Sequence, residues 1–202
     1  MKLYYAPGAC SLSPHIALLE AGMQPQMVKV DLKTKKTEAG EDYTAVNPNG
    51  YVPTLVLDDG NTLTEGPAIV QYIADQVPDR KLAPPNGTLE RYRLQSALNF
   101  ITAELHKTFG AFFNPLAGDD WKQAARTILD RRLGYVDGKL LANGPYALGE
   151  QFTVADCYLF TILRWCQPMQ IDTSSWPRIR EYMGRVAARP AVQEALKAEG
   201  LT

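Results

Sequence analysis

Residues 1–22 read MKLYYAPGACSLSPHIALLEAG, and their pattern indicates how the first part of the chain folds. Residues 3–5 are a short apolar run of the kind that forms a buried strand, and Pro7-Gly8 ends it. Ser13-Pro14, followed by an apolar face that ends at Gly22, predicts a helix with Ser13 as its N-cap. We therefore expect a strand, a short loop that carries Cys10, and a helix, in that order.

The pattern continues outward from this stretch to about residue 80. Further short apolar runs, each typical of a strand, occur at residues 27–30, 54–57 and 62–63. Residues 58–61, Asp-Asp-Gly-Asn, predict a hairpin turn between the last two runs, and residues 65–77 have helical spacing. The order predicts a right-handed βαβ unit followed by a ββα unit, hence an α/β domain over residues 1–80.

The second part of the chain is predicted to be helical throughout. A run rich in proline, asparagine and glycine over residues 78–87 indicates a linker. Helical patterns follow at residues 88–113, 122–141, 153–167, 177–188 and 191–198, which predicts an all-helical domain over residues 87–202. Thr153 and Asp156 have the spacing of a capping box, and Phe152 can pack on Cys157 as a hydrophobic staple, so we assign Asp156 a structural role.

Composition excludes several classes of function. The 202 residues are 46% hydrophobic and 21% charged with a net charge of −1, which matches an ordinary globular protein and excludes the basic excess of a nucleic-acid binder. No apolar run approaches the ~18–20 residues of a membrane span, and the start lacks a signal-peptide pattern, so we expect a cytoplasmic protein with no membrane partner. The cysteines are too far apart for a metal knuckle and odd in number; all three, Cys10, Cys157 and Cys166, are predicted to be reduced.

Cys10 is the candidate reactive group. A thiol beside a helix N-terminus is stabilised as thiolate, so we expect its pKa to lie below the ordinary value. The alternative is that Cys10 is a small buried apolar residue, which is how we interpret Cys157 and Cys166. Position 13 is Ser13, so no Cys-x-x-Cys disulfide can close, and any redox cycle needs an external thiol, for which glutathione is the natural donor.

Two turns have backbone groups that a peptide could use. Val52-Pro53 opens a predicted strand; a cis bond would turn the Val52 N–H and C=O outward to pair with an extended peptide, whereas a trans turn proline is equally compatible. Gly66 opens a predicted helix and presents a bare N–H suited to an anion. Glu65 beside it could hold an ammonium group or only offset the helix dipole.

The first long helical pattern also carries a polar strip. Its members fall within an arc of about 60° and are Asn99, Ala103, His106 and Gly110. His106 could donate to a ligand or tune a thiolate, or it could be a boundary histidine bonded to a carbonyl. Glu104 points nearly the opposite way, so it would reach the same kind of ligand only across a subunit interface. His15 is predicted to pack within the first helix, and the lysine-rich loop of Lys33, Lys35 and Lys36 is either solvated or binds a ligand carboxylate.

Five segments in this order and spacing resemble the cytosolic glutathione S-transferases, most closely the bacterial beta class. The segments are residues 1–11, 47–53, 63–69, 99–107 and 152–156. The resemblance implies a thioredoxin-like first domain, an all-helical second domain, and a homodimer whose cleft binds glutathione. It implies glutathione as a co-substrate, with no further cofactor and no metal.

The resemblance also implies residue roles. Cys10 would form the mixed disulfide or contact the thiolate, and Val52, before a cis Pro53, would pair with the cysteinyl backbone of glutathione. Glu65 and Gly66 would hold the γ-glutamyl end and Lys35 the glycine carboxylate, while the remaining lining residues would be Asn99, Ala103, Glu104 and His106. Many family members have serine at position 66, so only the Gly66 N–H remains here. The candidate donors to the glutathione sulfur are Cys10, Ser11, Tyr5 and His106.

The function implied is conjugation of glutathione to hydrophobic electrophiles, with modest rates and with Cys10-dependent thiol transfer. Two alternatives stay open on the same fold: a glutathione-dependent reductive dehalogenase of aromatic degradation, and a noncatalytic protein that binds hydrophobic ligands or antibiotics. An interaction module of the kind fused to translation proteins is a third alternative, but 202 residues leave no room for an appended domain. Apolar residues that could line the electrophile pocket, or simply belong to the core, are Phe109, Phe112, Phe113, Trp165 and Met169.

Overall fold

The computed structural model describes residues 1–202 and divides into two compact units. The first unit comprises Met1–Ala83 and Ala188–Thr202, and the second comprises Pro84–Ala187. The predicted class, an α/β unit followed by an all-helical one, is confirmed. No helix combines the length and the apolar character that crossing a bilayer requires.

The first unit is built on one five-stranded sheet with the order β3-β2-β1-β4-β5. The strands are β1 Lys2–Tyr5, β2 Gln26–Asp31, β3 Lys36–Thr37, β4 Thr54–Val56 and β5 Thr62–Thr64. The central β1 is parallel to β2 and antiparallel to β4, with Leu3 opposite Met27 on one side and Leu55 on the other. The predicted βαβ and ββα units are therefore confirmed; β3, only two residues long, has too few residues for a periodic signal.

Eight α-helices complete the two units. They are α1 Leu12–Glu20, α2 Gly66–Gln76, α3 Leu89–Phe100, α4 Lys107–Phe113, α5 Asp119–Tyr135, α6 Val154–Leu163, α7 Pro177–Ala187 and α8 Pro190–Ala198. In the first unit α1 packs against both α2 and α8. Arg189, just before α8, donates twice to the Glu20 carboxylate at the end of α1, at 2.6 and 2.8 Å. The helical domain predicted over residues 87–202 is thus too long, because α8 packs with the first unit.

The start of α1 differs from the predicted one. Ser11, not Ser13, is the N-cap residue, and α1 begins at Leu12. The Ser13 hydroxyl lies within the first turn and donates to the Cys10 carbonyl at 2.9 Å. Such a side-chain bond to a preceding carbonyl is common for serine at a helix start, which is why the sequence alone placed the cap two residues late.

The helical unit has two interruptions that the periodicity did not predict. The pattern over residues 88–113 is α3, a π-helical segment Ile101–His106, and α4, and a second π-helical segment, Val136–Leu140, follows α5. A π turn shifts the apolar face only slightly, so the hydrophobic pattern continues across it. The capping box of α6 is confirmed, with the Thr153 N–H donating to Asp156 Oδ2 at 2.8 Å.

Candidate active site

A buried polar clamp holds the turn that leads into β4. The Tyr43 hydroxyl lies 2.6 Å from both the Tyr51 carbonyl and the Thr54 hydroxyl. Asn47 Nδ2 donates to the same two acceptors at 2.9 and 3.2 Å. Tyr43, Asn47 and Thr54 are buried, so their hydrogen bonds hold the intervening Val52 in one position. The clamp was not predicted, although Asn47 begins residues 47–53, one of the segments that carry the resemblance.

Val52 has an unpaired backbone donor at the end of this turn. The Val52–Pro53 peptide bond is cis, as the resemblance implied. The residue is only 7% exposed, yet its N–H has no acceptor in the protein, while its carbonyl accepts the Cys10 thiol at 3.2 Å. Buried backbone N–H groups without a partner are rare in folded proteins, so this one is available to a ligand.

Cys10 is a neutral thiol, which corrects the prediction of a lowered pKa. Burial raises the pKa of Cys10 to about 12, and the negative charge of Glu65 adds to the rise. Hydrogen bonds from the backbone N–H groups of Cys10 and Ser11 act in the opposite direction and are outweighed. The helix N-terminus does favour thiolate, but desolvation of a charged sulfur is the larger effect here.

Ser11 and Tyr5 are the other two candidate hydrogen-bond donors in the first unit. The Ser11 hydroxyl is fully buried, accepts the Ala6 N–H at 3.1 Å and donates to the Ala6 carbonyl at 3.2 Å. Its single proton is committed to the backbone, so donation to glutathione would require this hydrogen bond to break. Tyr5 lies beside His15 with ring centroids 6.4 Å apart, and partial burial, with Glu199 and Glu38, raises its pKa, so it stays a neutral phenol.

The loop before Cys10 is attached to the C-terminal segment. Glu199 is buried; one carboxylate oxygen accepts the Gly8 N–H at 2.9 Å and the other lies 2.9 Å from His15 Nδ1. His15 is thus a packing residue, as predicted, and its partner comes from the far end of the chain. This contact ties the Gly8–Cys10 loop to α1 and to the segment after α8.

We expect Glu199→Gln to lower the free energy of unfolding by about 1–2 kcal/mol, because one buried carboxylate acceptor is replaced by an amide donor. Urea unfolding followed by circular dichroism measures the change. Glu194→Gln is the matched control, since Glu194 is exposed and bonds only to Gln24 at 3.3 Å; its effect should stay within about 0.5 kcal/mol. Equal effects of the two variants would contradict this account of the loop.

Glu65 and Gly66 form the start of α2 in an unusual conformation. Glu65 is the N-cap residue with φ 64° and ψ 112°, a left-handed region that costs a non-glycine residue about 1–3 kcal/mol. Its side chain is exposed, and the Gly66 N–H that follows has no acceptor in the protein. An exposed carboxylate beside a free helix-terminal N–H can bind the ammonium and carboxylate of one amino-acid end.

Lys35 is placed at the same loop as Val52. Its Nζ donates to the Gly50 carbonyl at 3.0 Å and lies 5.9 Å from the Tyr51 ring centroid. An ammonium group has three protons, so two remain for a carboxylate. The first unit therefore brings together Cys10, Val52, Pro53, Glu65, Gly66 and Lys35 on elements that the clamp and α1 hold in place.

His106 is the best-defined candidate in the helical unit. It closes the π-helical segment, and its Nδ1 lies 2.6 Å from the Tyr158 hydroxyl. Burial, with a smaller effect of Lys107, lowers the pKa of His106 to about 4, so the ring is neutral at physiological pH. The contact with Tyr158 was not predicted, because Tyr158 occurs in the strongly apolar run of α6, where nothing marked it as a partner.

The other predicted residues of the helical unit are more exposed. Asn99 and Ala103 are exposed on one side of α3 and the π-helical segment. Glu104 forms an ion pair with Arg132 of α5 at 2.6 Å, and its role toward a ligand across a subunit interface stays a prediction.

An aromatic cluster extends from His106. Trp165 is surrounded edge-on by His106 at 4.8 Å, Phe113 at 5.0 Å and Phe109 at 5.6 Å between ring centroids. Phe109 is fully buried and belongs to the core, whereas Phe113 is 48% exposed. Of the proposed lining residues, Phe113 therefore offers open apolar surface, and Phe112 and Met169 are partly buried.

Comparison with known proteins identifies the class to which this fold and site belong. Models of the glutathione S-transferase N-terminal and C-terminal domains match residues 8–76 and 100–190. The chain belongs to the glutathione S-transferase family. It is 48% identical over 201 residues to glutathione S-transferase GstA of Escherichia coli O157:H7, covering 100% of both chains.

Two solved structures narrow the class. The beta class glutathione S-transferase of Sphingomonas chungbukensis has 53% identity and a TM-score of 0.96, with 100% of both chains covered. A sphingomonad glutathione S-transferase complexed with glutathione has 51% identity and a TM-score of 0.95, again over 100% of both chains. Within its family the chain is of the bacterial beta class, and it is a glutathione transferase.

Proposed function

We propose that this enzyme conjugates the glutathione thiolate to hydrophobic electrophiles and that glutathione lies extended along Val52 of the first unit. The unpaired N–H of the buried Val52, beside the Cys10 thiol, is the observation that carries the proposal. A cysteinyl residue can pair with both backbone groups of Val52, because the carbonyl has two lone pairs and Cys10 uses one of them. The relative complexed with glutathione, at 51% identity, supports this ligand.

The two ends of the tripeptide match the charges that flank Val52. We assign the γ-glutamyl carboxylate to the Gly66 N–H at the start of α2 and its ammonium group to Glu65. The glycine carboxylate goes to Lys35, which keeps two free protons beside Gly50. Opposite charges placed at both ends of an extended peptide set its direction, and with it the position of its sulfur.

A neutral Cys10 suits conjugation. Two adjacent thiolates would repel, so an ionised Cys10 would raise the pKa of the glutathione thiol. Because the pKa of Cys10 is about 12, it stays protonated and can donate to the glutathione thiolate. We retain Tyr5 as a second neutral donor in the first unit, whereas the role of His106 stays a prediction of the resemblance.

Thiol transfer is the second activity we propose. A Cys10 thiolate attacks oxidised glutathione, forming a Cys10–glutathione disulfide and releasing one glutathione thiolate. A second glutathione thiolate then attacks the glutathione sulfur of that mixed disulfide, which regenerates Cys10 and oxidised glutathione; with other disulfides the same two steps exchange their partners. Only thiolate attacks, so the high pKa of Cys10 makes the first step slow at neutral pH.

Retention on immobilised glutathione followed by assays with a panel of electrophiles tests the main proposal. We expect the protein to be retained and to release a conjugate with activated halonitroarenes. Release of chloride from chlorinated aromatic acids without conjugate formation would instead identify the dehalogenase alternative. A protein that neither binds glutathione nor forms a conjugate would contradict the proposal.

We further propose that the enzyme is a homodimer that works in the cytoplasm. Each unit exposes large apolar side chains: Tyr51 of the first unit is 67% exposed, and Leu89 and Tyr92 of α3 are 61% and 60% exposed. Large exposed apolar side chains of this kind are typical of surfaces that bind another protein chain. The three cysteines are unpaired, which suits a reducing compartment that contains glutathione. Light scattering after gel filtration tests the dimer.

Substituting Gly66 with serine is expected to lower the KM for glutathione about 3- to 10-fold, because the added hydroxyl supplies a second donor to the γ-glutamyl carboxylate. A Cβ at position 66 would lie 3.9 Å from both Pro53 Cγ and Ser13 Oγ, which are ordinary contacts, so the side chain fits. Steady-state kinetics with glutathione varied measures the change. Gly66→Ala is the control for helix propensity and should leave KM within about twofold; an equal gain from alanine would contradict the assignment.

A further inference from the structure

The polar clamp before β4 allows only one arrangement of its protons. The side-chain oxygen of Asn47 accepts the Asn49 N–H at 3.1 Å, which fixes the orientation of the amide. The amide nitrogen therefore donates one proton to the Tyr51 carbonyl and the other to the Thr54 hydroxyl. The Tyr43 hydroxyl oxygen also touches the Tyr51 carbonyl oxygen, and a carbonyl has no proton to give. Tyr43 must therefore donate to Tyr51.

The contact between Tyr43 and Thr54 needs a second proton. The single proton of Tyr43 is already used, and the two hydroxyl oxygens are in hydrogen-bond contact, so Thr54 donates to Tyr43. Burial raises the pKa of Tyr43, so its hydroxyl stays protonated. Tyr43 and Thr54 are fully buried and Asn47 nearly so. A buried network in which every donor has an acceptor is rigid, because any other arrangement leaves a buried polar group unpaired.

Tyr43 is also joined to Lys35 through its backbone. The Tyr43 N–H donates to the Lys35 carbonyl at 2.9 Å. The Lys35 ammonium in turn donates to the carbonyl of Gly50, the residue before Tyr51, at 3.0 Å. These contacts form a closed ring, which runs from Lys35 through Tyr43 to the turn at residues 50–52 and back to the Lys35 ammonium. Every member of the ring belongs to the first unit.

The ring holds Lys35 in a conformation that it would not adopt by itself. Its φ of 57° is left-handed, which is costly for a residue other than glycine. Two backbone bonds maintain it: the Lys35 N–H donates to the Asp31 carbonyl at 2.8 Å, and its own carbonyl accepts Tyr43. Because Val52 follows Tyr51 directly, the ring fixes the Lys35 ammonium relative to the unpaired Val52 N–H.

We propose that Tyr43 is a positioning residue for glutathione, which sets the distance between the Lys35 ammonium and the Val52 backbone so that one extended tripeptide reaches both. This role rests on the proposed function, which places the glycine carboxylate at Lys35 and the cysteinyl backbone at Val52. Tyr43 is fully buried and does not itself contact the ligand. It therefore acts on the affinity for glutathione and not on the reactivity of the sulfur.

Calorimetric titration with reduced glutathione, together with steady-state kinetics, tests this role. Tyr43→Phe should raise the Kd and the KM for glutathione about 3- to 10-fold and leave kcat within about twofold, because the Tyr51 carbonyl loses one donor. Tyr4→Phe is the matched control: Tyr4 packs on Tyr43 with ring centroids 5.3 Å apart in the same apolar cluster, but it takes no part in the clamp. Its Kd should stay within about twofold of the native value.

Thr54 supplies a second pair of variants. Thr54→Val removes the hydroxyl that donates to Tyr43 and should raise the Kd about 3- to 10-fold, whereas Thr54→Ser keeps it and should stay within about twofold. Tyr43→Phe combined with Thr54→Val should weaken binding by less than the product of the single effects, since both break one network. Equal Kd values for Thr54→Val and Thr54→Ser, or multiplicative effects in the double variant, would overturn the inference.

A shorter ligand separates positioning from a general loss of structure. The dipeptide γ-glutamylcysteine lacks the glycine carboxylate, so its binding does not depend on the distance between Lys35 and Val52. Tyr43→Phe should change its Kd by no more than about twofold. An equal loss for the dipeptide and the tripeptide, or native affinity of Tyr43→Phe for glutathione, would overturn the inference. Failure of the proposed function would be seen separately, because the native protein itself would not bind glutathione.

Discussion

Replacing Cys10 with alanine is expected to lower glutathione-dependent thiol transfer by at least about 100-fold, because the covalent route through the mixed disulfide disappears. Conjugation should stay within about tenfold of the native rate, since Cys10 is proposed there only as one neutral donor among several. The two activities therefore separate in this single variant. A hydrogen-bond donor must keep its proton, whereas a nucleophile must be thiolate. The burial of Cys10 favours the protonated thiol.

Intact mass after incubation with oxidised glutathione measures the covalent step. The adduct of one glutathione should form on the native protein and not on Cys10→Ala, and its rate should rise about tenfold per pH unit between pH 7 and 9, because the pKa of Cys10 is about 12. Cys166→Ala is the control: burial also raises the pKa of Cys166 to about 12, but it belongs to the helical unit. An adduct on Cys10→Ala, or full thiol transfer by that variant, would refute the covalent route.

Asp156 lies in the first turn of α6, where its carboxylate is expected to contribute strongly to stability. Asp156→Ala should lower the free energy of unfolding by about 3–5 kcal/mol, because it leaves several buried donors without an acceptor. Asp156 is fully buried; Oδ1 accepts the Ala147 N–H at 2.7 Å, and Oδ2 accepts the N–H and the hydroxyl of Thr153 at 2.8 and 3.2 Å. Burial raises its pKa to about 6, although these hydrogen bonds lower it.

Urea unfolding of three variants separates the buried network from a simple turn bond. Asp172→Ala removes an aspartate that accepts the N–H and hydroxyl of Ser174 at 2.8 and 2.7 Å, but on the surface, and it should cost less than about 1 kcal/mol. Asp156→Asn should fall between the two alanine variants, because its amide keeps one acceptor oxygen. Similar losses for Asp156→Ala and Asp172→Ala would contradict the structural role.

Short-range sequence patterns predicted the elements and caps that interactions between nearby residues determine. The order of β1, the Cys10 loop and α1 follows from a short apolar run, Pro7-Gly8 and Ser13-Pro14, and the capping box follows from the spacing of Thr153 and Asp156. Each of these depends on residues within a few positions of one another. The error of two residues in the N-cap of α1 arose where Ser11 and Ser13 both offered a hydroxyl.

Features that depend on distant residues were not predictable. The pKa of Cys10 is raised because the folded chain buries it near Val52 and Glu65, more than 40 positions away, and the helix terminus alone suggested the reverse. The packing of α8 on α1 likewise depends on which partner an amphipathic face meets. The periodicity of α3 and α4 shows that the helix is buried, but it does not reveal the π-helical segment that holds His106.

A crystal structure of the protein with reduced glutathione shows whether the tripeptide pairs with Val52. We expect the cysteinyl N–H and C=O of the tripeptide to lie about 2.7–3.2 Å from the Val52 carbonyl and N–H, with the sulfur beside Cys10 and the γ-glutamyl carboxylate at Gly66. Glutathione bound elsewhere, with the Val52 N–H still unpaired, would contradict it.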